Sequence, residues 1–507
     1  MQQNITFFIL VAAAAFAALA ASIVMAGTVQ LTSRRTHGYL HLIFYAMIAM
    51  LALGTLLSAR DLSVLSFGLE EAAVTPRNPI IRWSQPLASL LMLTVAGERI
   101  LSFWLRREKP PFASPLLLVA FGTFWLCTVA APAFLGAYSF VSHDYFYPLV
   151  LGVAAILMTG AESDLAFRAA RNSLMAFLLA GLLLIPFQPN LVMETSYTQG
   201  LLPGVPRLAG LAAHAVSLSV LALLGLICLT TLPFQRVWLN RLAWVVGLTV
   251  LFLAQSKTAW LAFVLCQIGF AVVRHGGNFW RRAGNAARPE IGIASILGLM
   301  FAVLAIGMVT MFGDVGNRTD AFFSSSEGAQ LASFTGRDKI WAIAYDEWRR
   351  NPVFGYGPLI WETDFRISIG MPNATHAHNQ FMDTLSRSGT VGAVALVFYG
   401  LVLMYLSFRF VKQSRGLTLA LFILLAMRSV SEVPLSLFGY GPEFITHLLL
   451  LIALAAAASE VRSQDARTVQ TYPVAGLLAS STLAITPTPT STRYPTKNPL
   501  ATARSHL

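Results

Sequence analysis

Charged residues are scarce in this chain: they make up 11% of its 507 residues, whereas a soluble domain carries about 25%. Hydrophobic residues make up 56%, and the mean hydropathy is +0.66. This balance excludes an ordinary soluble domain, because so much apolar surface needs a lipid environment. The scarcity of charge therefore predicts a polytopic membrane protein.

Cysteine is also scarce, and the three cysteines all lie inside apolar runs. Their placement indicates packing residues, and it excludes a disulfide framework and a Cys-x-x-Cys metal site. The sequence also lacks a Gly-rich phosphate loop, an external Asp-x-Asp metal pair and a Ser-His-Asp order with supporting context. These absences remove several familiar catalytic sites from consideration.

The net charge of +12 would suggest nucleic-acid binding in a soluble protein. In this chain, however, the arginines and lysines fall mostly in short loops between apolar runs. That distribution is typical of topology signals and of contacts with lipid headgroups. We therefore expect membrane lipid, and no nucleic acid, among the partners.

Apolar runs of roughly spanning length recur along the chain, and a span needs about 20 apolar residues. They predict an all-α fold, a polytopic transmembrane bundle of about 12–13 spans. The first run lacks a basic leader and a cleavage site, so we interpret it as a retained span. The candidate runs are 5–26, 39–58, 83–102, 114–135, 146–159, 173–187, 208–232, 239–254, 258–273, 291–311, 391–410, 417–433 and 444–458.

Arginine and lysine cluster in alternate loops, as at Arg106, Arg107 and Lys109, and the loops between are nearly free of them. The basic set is expected on the cytoplasmic side. The long polar segment 312–390 then lies outside the cell membrane. The predicted regions are an N-terminal bundle at 1–200, central membrane helices at 201–311, the external loop at 312–390, C-terminal membrane helices at 391–458 and a disordered cytoplasmic tail at 459–507.

The external loop itself contains helical patterns. An apolar and aromatic stripe predicts an amphipathic helix from Gly336 that ends before Asn351-Pro352 and lies in the membrane interface. A second short helix is expected to start near His378 and to end at Ser388, with Gly389 as its cap.

His378 is the first candidate for chemistry, because the positive end of a helix dipole favours a neutral imidazole that can act as a base. Two alternatives stay open from spacing alone. One or both of His376 and His378 could simply form hydrogen bonds in a loop. A His-x-His metal site would need Glu362, Asp364 or Asp383 to converge on them.

Cations on the external side are the second group of candidates. Arg207 follows a Pro-Gly-Val-Pro turn and is either a phosphate contact or an ordinary snorkelling arginine. Lys257 lies in a Ser-Lys break between two apolar runs, as an interface anchor or a second phosphate contact. Arg337 could meet an anionic substrate. Arg428 and Glu432 have the i, i+4 spacing of a structural ion pair.

These residues together resemble the bacterial O-antigen ligase and polymerase family. The strongest block is His378-Asn379-x9-Gly389-x-x-Gly392, supported by Gly336-Arg337, Trp341 and Asn351-Pro352-x-x-Gly355-x-Gly357. Arg207-x-x-Gly210 and Ser256-Lys257 match two weaker blocks in the expected order. Lys257 departs from the pattern, because the family usually has arginine there.

The resemblance implies an inverting membrane glycosyltransferase that needs no metal and no cofactor. Its donor would be a glycan on undecaprenyl diphosphate, and its acceptor a hydroxyl group. His378 would be the general base, while Arg207 and Lys257 would hold the diphosphate. Arg337, His376 and Asn379 are expected to bind substrate. The location implied is the bacterial inner membrane, with the active site on the periplasmic face.

Two functions within this family share that chemistry. Arg428-Ser-x-x-Glu432 resembles the exopolysaccharide polymerase branch, which favours a polymerase of exopolysaccharide or O-antigen repeats, together with chain-length and export proteins as partners. The alternative is an O-antigen ligase that transfers glycan to lipid A core. A polysaccharide or lipid-linked sugar transporter is the alternative from another class, although no paired half-repeat is visible.

Overall fold

Long apolar helices dominate the structure, a computed structural model. It describes residues 21–30, 38–58, 60–63, 79–105, 114–195, 204–283, 337–372 and 374–471, and four single positions between 290 and 300. In chain order the helices are α1 (Ala21–Gln30), α2 (Leu42–Leu56), α3 (Pro79–Leu105), α4 (Pro115–Leu135), α5 (Phe146–Ile156), α6 (Gly160–Leu183), α7 (Pro189–Val192), α8 (Ala215–Thr231), α9 (Val237–Leu253), α10 (Lys257–Ala283), α11 (Arg337–Arg350), α12 (Thr363–Ser368), α13 (Gln380–Arg409), α14 (Leu417–Ser431) and α15 (Pro442–Thr471).

The predicted all-α membrane bundle is confirmed. Within the described residues, six helices are long and apolar enough to cross a membrane: α3, α4, α6, α10, α13 and α15. Five shorter apolar helices accompany them, and a two-residue ladder pairs β1 (Met193–Glu194) with β2 (Arg207–Leu208). The predicted spans 5–26 and 291–311 lie largely outside the described residues. The predicted tail at 459–507 begins inside α15, and residues 472–507 are not described.

Some helices differ in length from the apolar runs that predicted them. α6 starts at Gly160, well before the predicted run at 173, because Thr159 and Glu162 form a capping box at its first turn. Glu162 also pairs with Arg99 of α3 at 2.9 Å, so these charges are buried together. The apolar run alone did not predict the first part of α6, because charged residues that pair with each other can lie inside a helix bundle.

The core is built around α8, whose residues from Leu218 to Leu229 are almost all buried. α8 packs against α6 and α9, while α3 packs against α2 and α5. α13 contacts α4, α11 and α14. α13 therefore connects the membrane core to the helices of the polar segment.

α10 and α14 form an antiparallel pair that positions the site described below. Cys266 Sγ of α10 donates to the carbonyl of Ala420, and Gly416, just before α14, lies against Phe270. Continuing this pairing along both helices places the C-terminal end of α14 level with the start of α10. Residues that follow Ser431 and residues that begin α10 therefore share one end of the bundle.

A second, smaller core lies in the polar segment and is formed by Ala344, Ile360, Trp361, Phe365, Ala374 and Ala377. The amphipathic helix predicted from Gly336 appears as α11, and part of its stripe packs on protein, whereas Tyr345 is exposed. Trp341 donates to the carbonyl of Ala377, and Trp348 donates to Thr390 Oγ1. Protein acceptors therefore fix both indoles, and the placement of this helix in the membrane interface stays a prediction.

The glycines of the sequence blocks meet in one backbone contact. Gly355 lies against the main chain of residues 387–389, and Gly389 lies against the carbonyl of Val353. The Tyr356 N–H donates to the Ser386 carbonyl at 2.9 Å, and the Thr390 N–H donates to the Pro352 carbonyl at 2.8 Å. A side chain at Gly355 or Gly389 would push these two backbone segments apart. The contact therefore requires glycine in both sequence blocks.

Substituting Gly389 by alanine should therefore destabilise the protein. Its backbone angles, φ +64° and ψ −162°, belong to a region that is essentially restricted to glycine, and strain of this kind costs about 1–3 kcal/mol. We expect Gly389→Ala to lower the Tm of the purified protein in detergent. Gly400→Ala is the matched control, because it lies in the same helix with open space around it. An equal Tm for both variants would contradict this account.

Candidate active site

His378 lies immediately before α13 and has a left-handed backbone with φ +49°. The helix begins at Gln380 with Asn379 as its N-cap, so it starts two residues later than the sequence predicted. Asn379 Oδ1 accepts from the Met382 N–H, which ends the helix before His378 can join it. The histidine is therefore presented by a turn, as an unusual left-handed residue.

Three side chains converge at this turn. Glu432 Oε2 lies 3.2 Å from His376 Nε2 and 3.3 Å from His378 Nδ1. The two imidazole rings are 4.2 Å apart between centroids. Glu432 follows directly after α14, so one carboxylate from the C-terminal helices bridges both histidines of the polar segment.

The proton positions on His376 follow from its neighbours. The His378 N–H donates to His376 Nδ1 at 3.1 Å, so a neutral His376 ring carries its own proton on Nε2, facing Glu432. His378 Nδ1 is buried and close to Glu432, although the contact is not aligned as a hydrogen bond. The His378 side chain is 27% exposed, so its exposed area belongs to other ring atoms.

Burial controls the charge of this cluster. It lowers the pKa of His376 to about 4, helped by the neighbouring His378 and opposed by Glu432 and Asp383. Burial alone would raise the pKa of Glu432, but His378, Arg428 and His376 outweigh it and lower that pKa to about 2. At neutral pH the site thus combines a neutral His376 with an ionised carboxylate.

The same three residues form a group that could hold a metal ion. Glu432 completes it, in place of the expected Glu362, Asp364 or Asp383. Asp383 accepts from the Ala377 N–H and contacts Arg387 instead. For His376 Nε2 to bind a metal, Nδ1 would have to carry the proton and would then face the His378 N–H. Metal binding through His376 Nε2 would therefore cost the hydrogen bond from the His378 N–H.

The loop and α14 are fastened together around the cluster. Asn379 Nδ2 donates to the Val430 carbonyl at 3.3 Å, and Gln380 Oε1 accepts from the Leu435 N–H at 2.8 Å. On the opposite side of the histidine loop, the indole N–H of Trp341 donates to the carbonyl of Ala377. These bonds fix both sides of the contact between Glu432 and the histidines, and they occupy both polar atoms of the Asn379 amide.

Glu432 is the site residue that the sequence interpretation missed. The expected structural pair with Arg428 is wrong, because Arg428 contacts Glu443 at 2.5 Å and Glu432 turns to the histidines. Helical spacing ends at Ser431, where the backbone becomes extended at Glu432. A carboxylate at the end of an apolar span was the available signal.

Arg207 is buried in the short β2 strand. It lies 3.6 Å from Glu194 and donates to the carbonyl of Ala254 at 3.3 Å. Gln255 donates to the Val205 carbonyl at 2.9 Å, so the Arg207 strand is attached to the turn before α10. Lys257, the first residue of α10, is exposed beside that turn. The structure thus links the two predicted phosphate contacts and excludes a freely snorkelling Arg207.

The remaining candidates occupy the same end of the bundle. The antiparallel pairing of α10 and α14 brings the start of α10, with Lys257, level with the segment that carries Glu432. Arg337 begins α11 and lies one helical turn before Trp341, on the face that contacts the His376–His378 loop. A membrane helix bundle with an imidazole–carboxylate cluster and nearby cations is the arrangement that emerges.

That class of protein agrees with the comparisons. Residues 242–397 match the family model described as O-antigen ligase, in agreement with the resemblance that the motifs indicated. Members of this family are glycosyltransferase-type membrane enzymes that use lipid-linked glycans. Among functionally curated proteins, none matches the sequence significantly. The match includes Lys257, Arg337 and both histidines, while Arg207 and Glu432 lie outside it.

Acid should destabilise this site through His376. Its folded-state pKa is lowered from 6.5 to about 4. Between pH 4 and pH 6.5, His376 is therefore mostly protonated in the unfolded chain and mostly neutral in the folded protein. Stability should therefore fall as the pH falls from 6.5 towards 4. We expect His376→Gln to flatten the dependence of Tm on pH in this window. His143→Gln is the control, because His143 is 80% exposed; equal slopes in all three proteins would refute the assignment.

Proposed function

We propose that this protein is an inverting glycosyltransferase that polymerises exopolysaccharide or O-antigen repeats. It would transfer a glycan from undecaprenyl diphosphate to a hydroxyl group of an acceptor glycan. The observation that carries the proposal is the contact of Glu432 with His378 and His376, at 3.3 and 3.2 Å, in a chain that matches the O-antigen ligase family model.

His378 is the general base in this proposal. With a proton on Nδ1 facing Glu432, its Nε2 carries a lone pair that can accept the proton of the attacking hydroxyl. The acceptor oxygen bonds to the anomeric carbon while the bond to the diphosphate oxygen breaks, which inverts the configuration. Glu432 stabilises the imidazolium that forms, as a carboxylate does beside a catalytic histidine.

The departing diphosphate needs positive charge, because negative charge builds on its oxygen in the transition state. Lys257 is the exposed cation at the start of α10 and supplies this charge directly. Arg207 is buried against Glu194, so in this proposal it acts at the base of the phosphate site beside the Ala254 turn. A lysine gives a point charge in place of a two-pronged grip.

The other candidates divide into two roles. Arg337 is proposed to contact the anionic donor, since it begins the helix that holds the histidine loop. His376 binds substrate through its partly exposed ring and keeps Glu432 in place. Asn379 was expected to bind substrate, but its engaged amide supports a positioning role between the α13 cap and α14.

The orientation of the protein follows from its basic residues. The end of the α10–α14 pair opposite to Lys257 carries Arg274, Lys412 and Arg415. Clusters of this kind favour the cytoplasmic side. This supports a multi-pass protein of the bacterial inner membrane whose active site faces the periplasm, where chain-length and export proteins would receive the product.

The polymerase is preferred over the ligase because Glu432, the last residue of the Arg428-Ser-x-x-Glu432 block, lies in the proposed site. Purified protein should be given one lipid-linked repeat as donor and either a second lipid-linked repeat or lipid A core as acceptor. Longer lipid-linked glycan supports the polymerase, and glycan on lipid A core supports the ligase. Turnover of neither acceptor with an active donor preparation would favour a transporter.

Removal of the base should slow the chemical step. We expect His378→Ala to lower the rate by about 10²–10⁴-fold, the usual contribution of general base catalysis, with the donor KM little changed. Glu432→Gln should lower kcat in the same assay, since the amide cannot stabilise the imidazolium. His143→Ala is the control for an exposed histidine. Full activity of His378→Ala at a normal protein level would contradict the mechanism.

Substitution of Lys257 should instead impair the interaction with the donor diphosphate. We expect Lys257→Ala to raise the donor KM and lower kcat, while Lys257→Arg retains activity because it preserves the charge. Arg241→Ala provides a control at an exposed cation of α9. Unchanged kinetics of Lys257→Ala over a range of donor concentrations would remove this residue from the phosphate site.

A further inference from the structure

A cavity of about 1050 Å³ opens at the end of the bundle opposite to the histidine cluster. It is bounded by the first turn of α6, the last turn of α8, α10, the turn between α13 and α14, and the later part of α15. None of the candidate active-site residues lines it, so the proposed glycosyl transfer leaves its purpose unexplained.

Three cations line this cavity: Arg274, Lys412 and Arg415. Arg274 donates to the carbonyls of Arg415 and Thr230, both at 3.3 Å, and so fastens the turn to the end of α8. Within the turn, the Gly416 N–H donates to the Val411 carbonyl at 2.8 Å. Lys412 and Arg415 are exposed on a turn that is already fixed, which lowers the entropic cost of binding an anion.

The same cavity also carries acceptors for a cation. Asp164 and Glu460 contribute carboxylates to its lining. Gln413 also lines the cavity, but its Oε1 atom is buried away from it. The lining thus offers positive groups for an anion and acceptors for an N–H cation.

The depth of the cavity restricts the ligand further. It lies where apolar helices end, and Leu417, Ala453 and Ala457 give it an apolar side. Ends of membrane helices lie near the headgroup region of the bilayer. A ligand that has a phosphate, an ammonium group and an apolar remainder satisfies all of these features.

We propose that this cavity binds the headgroup of a glycerophospholipid that carries a primary amine. Lys412, Arg415 and Arg274 contact the phosphate, and the carboxylates of Asp164 and Glu460 accept from the ammonium. Such an ammonium has three N–H donors, whereas a quaternary choline has none and a glycerol headgroup has no positive charge. The site therefore selects phosphatidylethanolamine over phosphatidylcholine and phosphatidylglycerol.

The full-length protein should be purified and offered equal amounts of these three lipids in mixed micelles, with bound lipid measured by native mass spectrometry. We expect phosphatidylethanolamine to be retained about tenfold over phosphatidylcholine, as the loss of one charge-assisted hydrogen bond would give. Soluble glycerophosphoethanolamine is the competitor that distinguishes a free headgroup from a lipid. Full displacement by it would contradict a lipid site.

Two variants separate the parts of the site. Lys412→Gln with Arg415→Gln should reduce retention of all three phospholipids, while Asp164→Asn should weaken the preference for phosphatidylethanolamine and leave retention of the other two lipids unchanged. Arg236→Gln with Arg241→Gln is the matched control, because these exposed cations lie at the same end outside the cavity. Equal lipid retention in wild type and the Lys412/Arg415 variant, or no preference among the lipids, would overturn the proposal.

Discussion

A single carboxylate between two imidazoles organises one end of this helix bundle. An ionised carboxylate that is largely buried is costly unless charged or hydrogen-bonding groups surround it. Glu432 meets this need through His376, His378 and the field of Arg428. Glu432 thereby joins the histidine loop to the end of α14. The site forms only when these two distant parts of the chain come together.

The surrounding structure serves this contact. The interlocked glycines join the 351–357 turn to α13, and Asn379 and Gln380 attach α13 to the segment after α14. α14 pairs with α10, which carries Lys257 at its first turn, and the Ala254 turn before it holds Arg207. Membrane helices thus provide a fixed frame, while turns at one end present the polar groups, as is usual for functional residues.

Much of the architecture could be predicted from sequence, because apolar runs and the lack of charge report directly on the membrane solvent. Helix α11 and the glycine blocks were also visible as local patterns. The role of Glu432 was not, since spacing linked it to Arg428 within one helix, and only the extended backbone after Ser431 turns it away. The burial of Arg207 depended on the ladder with Met193–Glu194, a contact that no local pattern records.

The central claim is that Glu432 orients the His378 ring so that Nδ1 carries the proton and Nε2 carries the free lone pair. The most direct measurement is the ¹⁵N NMR spectrum of selectively labelled histidine in the full-length protein near neutral pH, with the His378 signal assigned by His378→Gln. The account predicts a proton on Nδ1 in the wild type and loss of this preference in Glu432→Gln. A proton on Nε2 in the wild type, or spectra that are identical in both proteins, would contradict it.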